Sequence, residues 1–154
     1  MGDFVINSNI LDLFGGSGAL TIEGISRGAN SGTILEKNSL AVKTIKNNIK
    51  NLNIDNIKII KGNSLAIIKS LGQNEENKRK FNLVFIDPPY KEFFWYQESL
   101  NALFKSELIS NDSYIICELD SKNNLNSLEN FIEIKNKKYG NSRLIFLKPK
   151  SDTF

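Results

Sequence analysis

The sequence predicts an α/β protein whose core is a doubly wound, mostly parallel sheet. Three features carry that expectation. Short apolar runs at 9–14, 32–36, 57–61 and 82–86 alternate with stretches of helical periodicity, the pattern of strand–helix–strand units joined by right-handed crossovers. Gly15-Gly16-Ser17-Gly18 stands directly between the first run and the first helix. The chain closes with two runs in succession, 132–138 and 144–148, around Gly140-Asn141, and these read as an antiparallel pair.

The first helix is expected over 19–27, with Gly28 ending it as a C′ residue. Asn38 can cap a second helix running to about Leu52, with Leu40, Ala41, Ile45 and Ile49 on its apolar side. A short third helix spans 64–71, and the polar stretch 73–80 reads as a loop. The 82–86 run, NLVFI, is nearly continuous in its apolar residues, as in a parallel strand covered on both faces. A helix over 94–108, a fifth strand over 113–119 and a short helix over 121–129 lead to the closing pair. No repeat or linker divides the chain, so 1–154 is expected to form a single domain.

Composition narrows the chemistry. At 40% hydrophobic and 24% charged, the chain has the make-up of a globular domain. Its formal charge of +3 suits a nucleic-acid partner without requiring one. There is no histidine, which removes Ser-His-Asp and Cys-His catalysis and any histidine-ligated metal; no metal is expected. The single cysteine, Cys117, lies in an apolar run and reads as a core residue, so disulfides and paired-thiol redox chemistry are excluded. No run is long enough to span a membrane and no signal peptide is evident, so a reduced, cytoplasmic protein without a membrane partner is expected.

Two loops carry the functional reading. Ligands of doubly wound sheets bind beyond the carboxyl ends of the strands, where strand order reverses. That point is expected between the first and fourth strands, which brings Gly15, Gly16, Ser17 and Gly18 to the same crevice as Asp87-Pro88-Pro89-Tyr90. Pro88 and Pro89 have no N–H, so the second loop presents acceptors: the Asp87 carboxylate and the Pro88 carbonyl. Two acceptors together suit a group with two N–H donors, such as the exocyclic amine of a nucleobase, and Tyr90 offers a face for stacking. An ordinary turn after a strand would use the same residue types.

On the other side of the crevice, the glycines and the helix start that follows favour close approach of an anionic group. A dinucleotide site wants a third glycine, where this chain has Thr21. Asp12 before the loop suits a ligand that also carries an ammonium. Glu36 ends the second strand and can accept both ribose hydroxyls, or simply charge a helix start. Asn63 can meet an adenine edge or cap the helix that follows it. Carboxylate, ammonium, ribose and adenine together describe S-adenosylmethionine better than a dinucleotide.

DLFGGSGALTIEGISRGA, Glu36, GNSL and NLVFIDPPY resemble class I S-adenosylmethionine-dependent methyltransferases, and most of all the bacterial small-subunit ribosomal RNA guanine-N2 methyltransferases of the RsmD type. The likeness runs from about Ile10 to Lys148. It implies a Rossmann-like, seven-stranded sheet with its last strand antiparallel. It implies S-adenosylmethionine as cofactor, held by Asp12, Phe14, Gly15, Gly16, Ser17, Gly18, Glu36, Asn63 and Ser64. Asp87, Pro88, Pro89 and Tyr90 then form the catalytic loop, moving a methyl group to a guanine N2 amine in 16S ribosomal RNA. The partner is ribosomal RNA or a ribosomal particle, met by a monomer. That family carries a few dozen residues ahead of the first strand, with a basic segment and a helix that help cover the cofactor and hold RNA; here residues 1–8 precede it. Asn63 stands where an acidic residue is more usual.

Phosphate candidates follow from topology. Lys91 comes next after Tyr90, and Lys137, Lys138, Tyr139 and Arg143 surround the closing hairpin turn, both on the crevice side. Lys78-Arg79-Lys80 enters the fourth strand from the opposite edge and is discounted. The aromatic run Phe93-Phe94-Trp95-Tyr96 reads as core packing at a helix start, with a base-stacking platform as the sharper alternative. An adenine-N6 DNA methyltransferase shares the DPPY loop, but no target-recognition insertion is evident. A module that binds S-adenosylmethionine or RNA without turnover is a third reading, and a nicotinamide-dependent enzyme the last.

Overall fold

The computed structural model describes residues 2–76, 78–89, 92–125 and 128–150. A 3-10 turn at Asp3–Val5 opens the chain. The strands are β1 Asn9–Asp12, β2 Ser31–Glu36, β3 Ile57–Lys61, β4 Phe81–Ile86, β5 Ile109–Asp120, β6 Phe131–Tyr139 and β7 Ser142–Pro149. The helices are α1 Ala19–Ser26, α2 Ser39–Asn51, α3 Ser64–Gln73 and α4 Phe93–Ser106. They build one seven-stranded sheet in the order β3-β2-β1-β4-β5-β7-β6. The first five strands pair in parallel, and β7 runs antiparallel between β5 and β6.

Strand order reverses between β1 and β4, where Ile10, Leu11 and Asp12 lie opposite Leu83, Val84 and Phe85. Both strands are buried on both faces, which is why the NLVFI run shows no alternation. The larger core lies between the sheet and α3 and α4, around Leu11, Val84, Ile86, Tyr96, Leu103, Ile115 and Ile145. Cys117 belongs to it, fully buried, opposite Ile86 on β4 and Ile145 on β7. Burial in apolar surroundings pushes its thiol well above the ordinary range. A smaller core on the other face joins Val5, Ile10, Leu83, Phe85 and Ile116, with Phe4, Leu20 and Ile25 against it.

Local chemistry accounts for the boundaries. The Asn38 side chain accepts from the Ala41 N–H at 2.9 Å and starts α2. α1 ends in a Schellman motif: the Gly28 N–H donates to Ile25 and the Ala29 N–H to Gly24, with Gly28 at φ +105°. Lys80 donates to the carbonyls of Glu107 and Ile109, and Lys78 pairs with Glu75 and Glu107. The basic cluster ahead of β4 therefore ties down the amino edge of the sheet.

Three expectations need correction. The described residues of 121–129 contain no helix: the Asp120 carboxylate accepts from the Lys122 N–H, and the asparagines that follow favour such local bonds over helix. Leu40 is 76% exposed and Val42 is buried in its stead, while the rest of the expected stripe holds: Ile45 is fully buried and Ala41 and Ile49 half-buried. β5 begins at Ile109, ahead of the expected 113, because a register shift against β4 lets Ile109 pair with Phe81. The buried Ser113 hydroxyl seals that shift by donating to the Phe81 carbonyl at 2.7 Å.

Gly28→Ala forces a side chain into left-handed backbone and is expected to cost about 1–2 kcal/mol. A lower urea midpoint at unchanged slope reads this; an unchanged midpoint refutes it.

Candidate functional site

Parallel pairing of β1 with β4 and β2 delivers three carboxyl ends to one edge. A cavity of about 660 Å³ opens there, walled by the loop after β1, the end of β2, the start of α3 and the loop after β4. Phe14, Gly15, Gly16 and Ser17 form one wall, Glu36 and Asn38 the second, Asn63 and Ser64 the third, and Asp87 and Pro89 the fourth. Glycine loop and acceptor loop thus face a common space, as the sequence implied.

The glycine loop is held by backbone bonds. The Gly15 N–H donates to the Leu35 carbonyl at 3.0 Å, and the Gly18 N–H to Gly15 at 2.8 Å. A Cβ on Gly15 would stand 2.2 Å from Ile34 Cγ2, so this wall lies against β2 only because that side chain is absent. Gly18 precedes α1 at φ +82° and turns the chain without lining the cavity.

Glu36 clamps the loop. Its Oε1 accepts the Gly16 N–H at 2.9 Å and its Oε2 the Asn38 N–H at 2.9 Å. A carboxylate has about four acceptor positions, so each oxygen keeps one for a ligand hydroxyl. Asn63 caps α3, its side-chain oxygen accepting from Ala66 at 3.0 Å. Of its two anticipated roles, capping is therefore filled within the chain. Ser64 donates its hydroxyl to the Leu13 carbonyl, fixing the α3 start to the end of β1.

Asp12 lies outside the cavity lining, 1% exposed at the end of β1. Its Oδ2 accepts from the Thr21 hydroxyl at 3.0 Å, while Oδ1 has no hydrogen-bond partner. Burial is the main reason its pKa is pushed up to about 7; Thr21 and the Phe14 backbone oppose the rise, and Asp87 and Glu36 add to it. Three carboxyl groups, Asp12, Glu36 and Asp87, therefore lie close enough at this edge to act on one another, and Lys37 lines the same cavity.

Pro88 is buried and Pro89 exposed at the mouth. Tyr90 and Lys91 lie outside the described residues. The aromatic run divides: Trp95 lines the cavity, and Tyr96 is fully buried with its hydroxyl donating to the Glu118 carbonyl at 2.5 Å. Phe93 and Phe94 remain 40% and 54% exposed. Lys137 and Lys138 sit beside each other on β6 and so point to opposite faces. Arg143 spends its guanidinium on the Ser121 carbonyl and the Asn136 side chain.

Sequence reasoning missed Thr21, whose signal was a hydroxyl one turn into the helix that follows the Asp12 strand. It also missed Lys37, Ala41 and Leu65 as lining residues, which no local pattern marks.

This strand order, with an antiparallel strand slotted between the fifth and sixth, is that of the class I methyltransferases. The chain belongs to the family described as conserved hypothetical protein 95, whose model matches residues 1–148, and within it is related to ribosomal RNA small subunit methyltransferase D. It is 35% identical over 137 residues to the enzyme of that name from Buchnera aphidicola of Acyrthosiphon pisum, covering 89% of this chain and 69% of that one. The counterpart from Buchnera aphidicola of Baizongia pistaciae is 33% identical over 135 residues, covering 85% and 64%. Among solved structures, a conserved hypothetical protein of Streptococcus pyogenes superposes with a TM-score of 0.80 at 30% identity, over 94% of this chain and 88% of that one.

Asp12 gives a test that needs no ligand. The folded protein holds a proton that the unfolded chain releases near pH 3.8, so stability is expected to fall as pH rises from about 4 to about 7. Asp12→Asn should remove that fall. Urea midpoints measured across this range with equal slopes in both proteins would contradict the assignment.

Proposed function

We propose that the protein transfers a methyl group from S-adenosylmethionine to the exocyclic N2 amine of a guanine in small-subunit ribosomal RNA. The observation that carries this reading is the shared cavity: the glycine loop and Asp87, with Pro89 beside it, face one another across it. Family membership supports the methyl-transfer class, and the name borne by the two Buchnera relatives supports the ribosomal RNA.

The residues fit the cofactor. Its sulfonium and ammonium are cationic, and the Glu36 and Asp87 side chains line the cavity, with the unpartnered Asp12 Oδ1 buried behind the loop. Glu36 keeps acceptor positions for ribose hydroxyls, and Leu35, Ala41 and Leu65 offer an apolar slot for a base. When bound, S-adenosylmethionine supplies an electrophilic methyl group.

The chain's own task is to aim the nucleophile. A guanine amine is weakly nucleophilic because its lone pair is conjugated with the ring. Acceptance of its two N–H bonds by the Asp87 carboxylate and the Pro88 carbonyl turns that lone pair out of the ring plane and towards the cofactor. Alignment of this kind supplies up to ~7–11 kcal/mol of a barrier. The methylated amine is acidic and gives its proton to Asp87 or to water, so no histidine is needed. The target base must be unpaired or leave its helix to reach the loop.

Asp87→Ala is expected to abolish transfer of labelled methyl groups to small ribosomal subunits lacking the modification, while calorimetry still detects S-adenosylmethionine. Full turnover by that variant would remove the role. Wild-type transfer to duplex DNA instead of subunits would favour the adenine-N6 alternative.

A further inference from the structure

A second cavity, of about 620 Å³, shares Asp87 and Leu20 with the first. It runs from Asp87 and Glu118 across the open face of β5, β7 and β6, past Leu144 and Phe146, to Lys135 and Tyr139. Strand pairing fixes which hairpin residues share this face. Lys135 lies opposite Phe146, Lys137 opposite Leu144 and Tyr139 opposite Ser142. Lys138 lies opposite Arg143, on the face turned towards Leu119 and Ser121.

The face pairs cations with rings. Lys135 Nζ stands 5.5 Å from the Phe146 centroid, Lys137 4.9 Å from Tyr139, and Lys148 4.9 Å from Tyr114, whose ring stacks on Phe4 at 4.5 Å. Ammonium groups over aromatic rings, on an exposed sheet surface, are the parts of a single-strand platform: flat faces for bases, cations for the backbone. Lys135 and Lys137 are two residues apart on one strand, hence about 6.8 Å, a spacing comparable to that of successive phosphates on an extended strand. Charge is graded along the cavity. Asp87 and Glu118 stand at the end where an amine is to be received, and Lys135 at the other.

We infer that an unpaired RNA strand flanking the target base lies across this face, a base against Tyr139 and its phosphates on Lys135 and Lys137. This rests on the proposed function and specifies how that site takes its substrate. It moves the RNA contact from the hairpin's Lys138 and Arg143 to the alternate side chains of the same turn.

The test is fluorescence anisotropy of the full chain with a labelled single-stranded oligoribonucleotide of about ten nucleotides, beside its duplex and with methyl transfer read separately. The wild type should prefer the single strand. The double variant K135E/K137E should bind it about tenfold or more weaker, with the slope of log affinity against log salt reduced by roughly 1.4. Tyr139→Ala should weaken binding roughly fivefold or more. Lys137→Glu should cost more than Lys138→Glu, and K58E/K69E, with the same change in net charge, should bind as wild type.

Equal affinity of K135E/K137E and K58E/K69E, or a greater loss from Lys138→Glu, overturns the inference. So does a concentration-dependent doubling of mass abolished by Ile134→Asp with RNA affinity intact, which gives the face to a second copy. Transfer to subunits that survives K135E/K137E at limiting RNA sinks this inference and leaves the proposed function standing. Single-strand binding lost in K135E/K137E, from a protein that methylates no RNA, does the reverse.

Discussion

The parallel seam between β1 and β4 is the constraint on which the rest depends. Ile10, Leu11, Leu83 and Val84 are wholly buried along it, so neither strand can slip without exposing apolar surface on both faces. The seam continues past the ends of the strands, where the Leu13 N–H donates to the Phe85 carbonyl at 3.1 Å. This last bond sets the height of the glycine loop against that of Asp87. Ser64, bonded to the Leu13 carbonyl, extends the same alignment to α3. Rigidity of the crevice comes from the middle of the sheet and reaches its wall through a few backbone carbonyls.

Gathering carboxylates at one sheet edge has an electrostatic cost. Asp12 shows it most clearly, since burial with Asp87 and Glu36 nearby disfavours its charge. Glu36 at the same edge accepts two backbone N–H groups. A cation bound beside Asp12 would favour its charged form and offset part of that cost. Stability is given up at the position where binding recovers it.

The sequence was most legible where one constraint acted on several neighbouring residues. Alternating strand and helix, the doubly apolar β4 and the paired closing strands each spread their signal over five or more positions, and the topology follows from them. Asn38 and Gly28 were legible singly, because capping and left-handed backbone need particular residue types. Leu40 misled because Val42, two positions on, is also apolar and is buried in its stead. The segment after Asp120 misled because Leu125 and Leu128 reach the core although the described residues of 121–129 form no helix. The depth of Asp12 and the opposite facing of Lys137 and Lys138 depend on register and layer, which appear only once strands are paired.

Cys117 has a use unconnected with chemistry at the crevice. It is the sole thiol in the chain, and it sits in the carboxyl-terminal half of β5 between Ile86 and Ile145, with no access from outside. A reagent can reach it only when the middle of the sheet parts. Its alkylation rate is therefore a clock for rare openings of the native state, readable by mass spectrometry on unmodified protein.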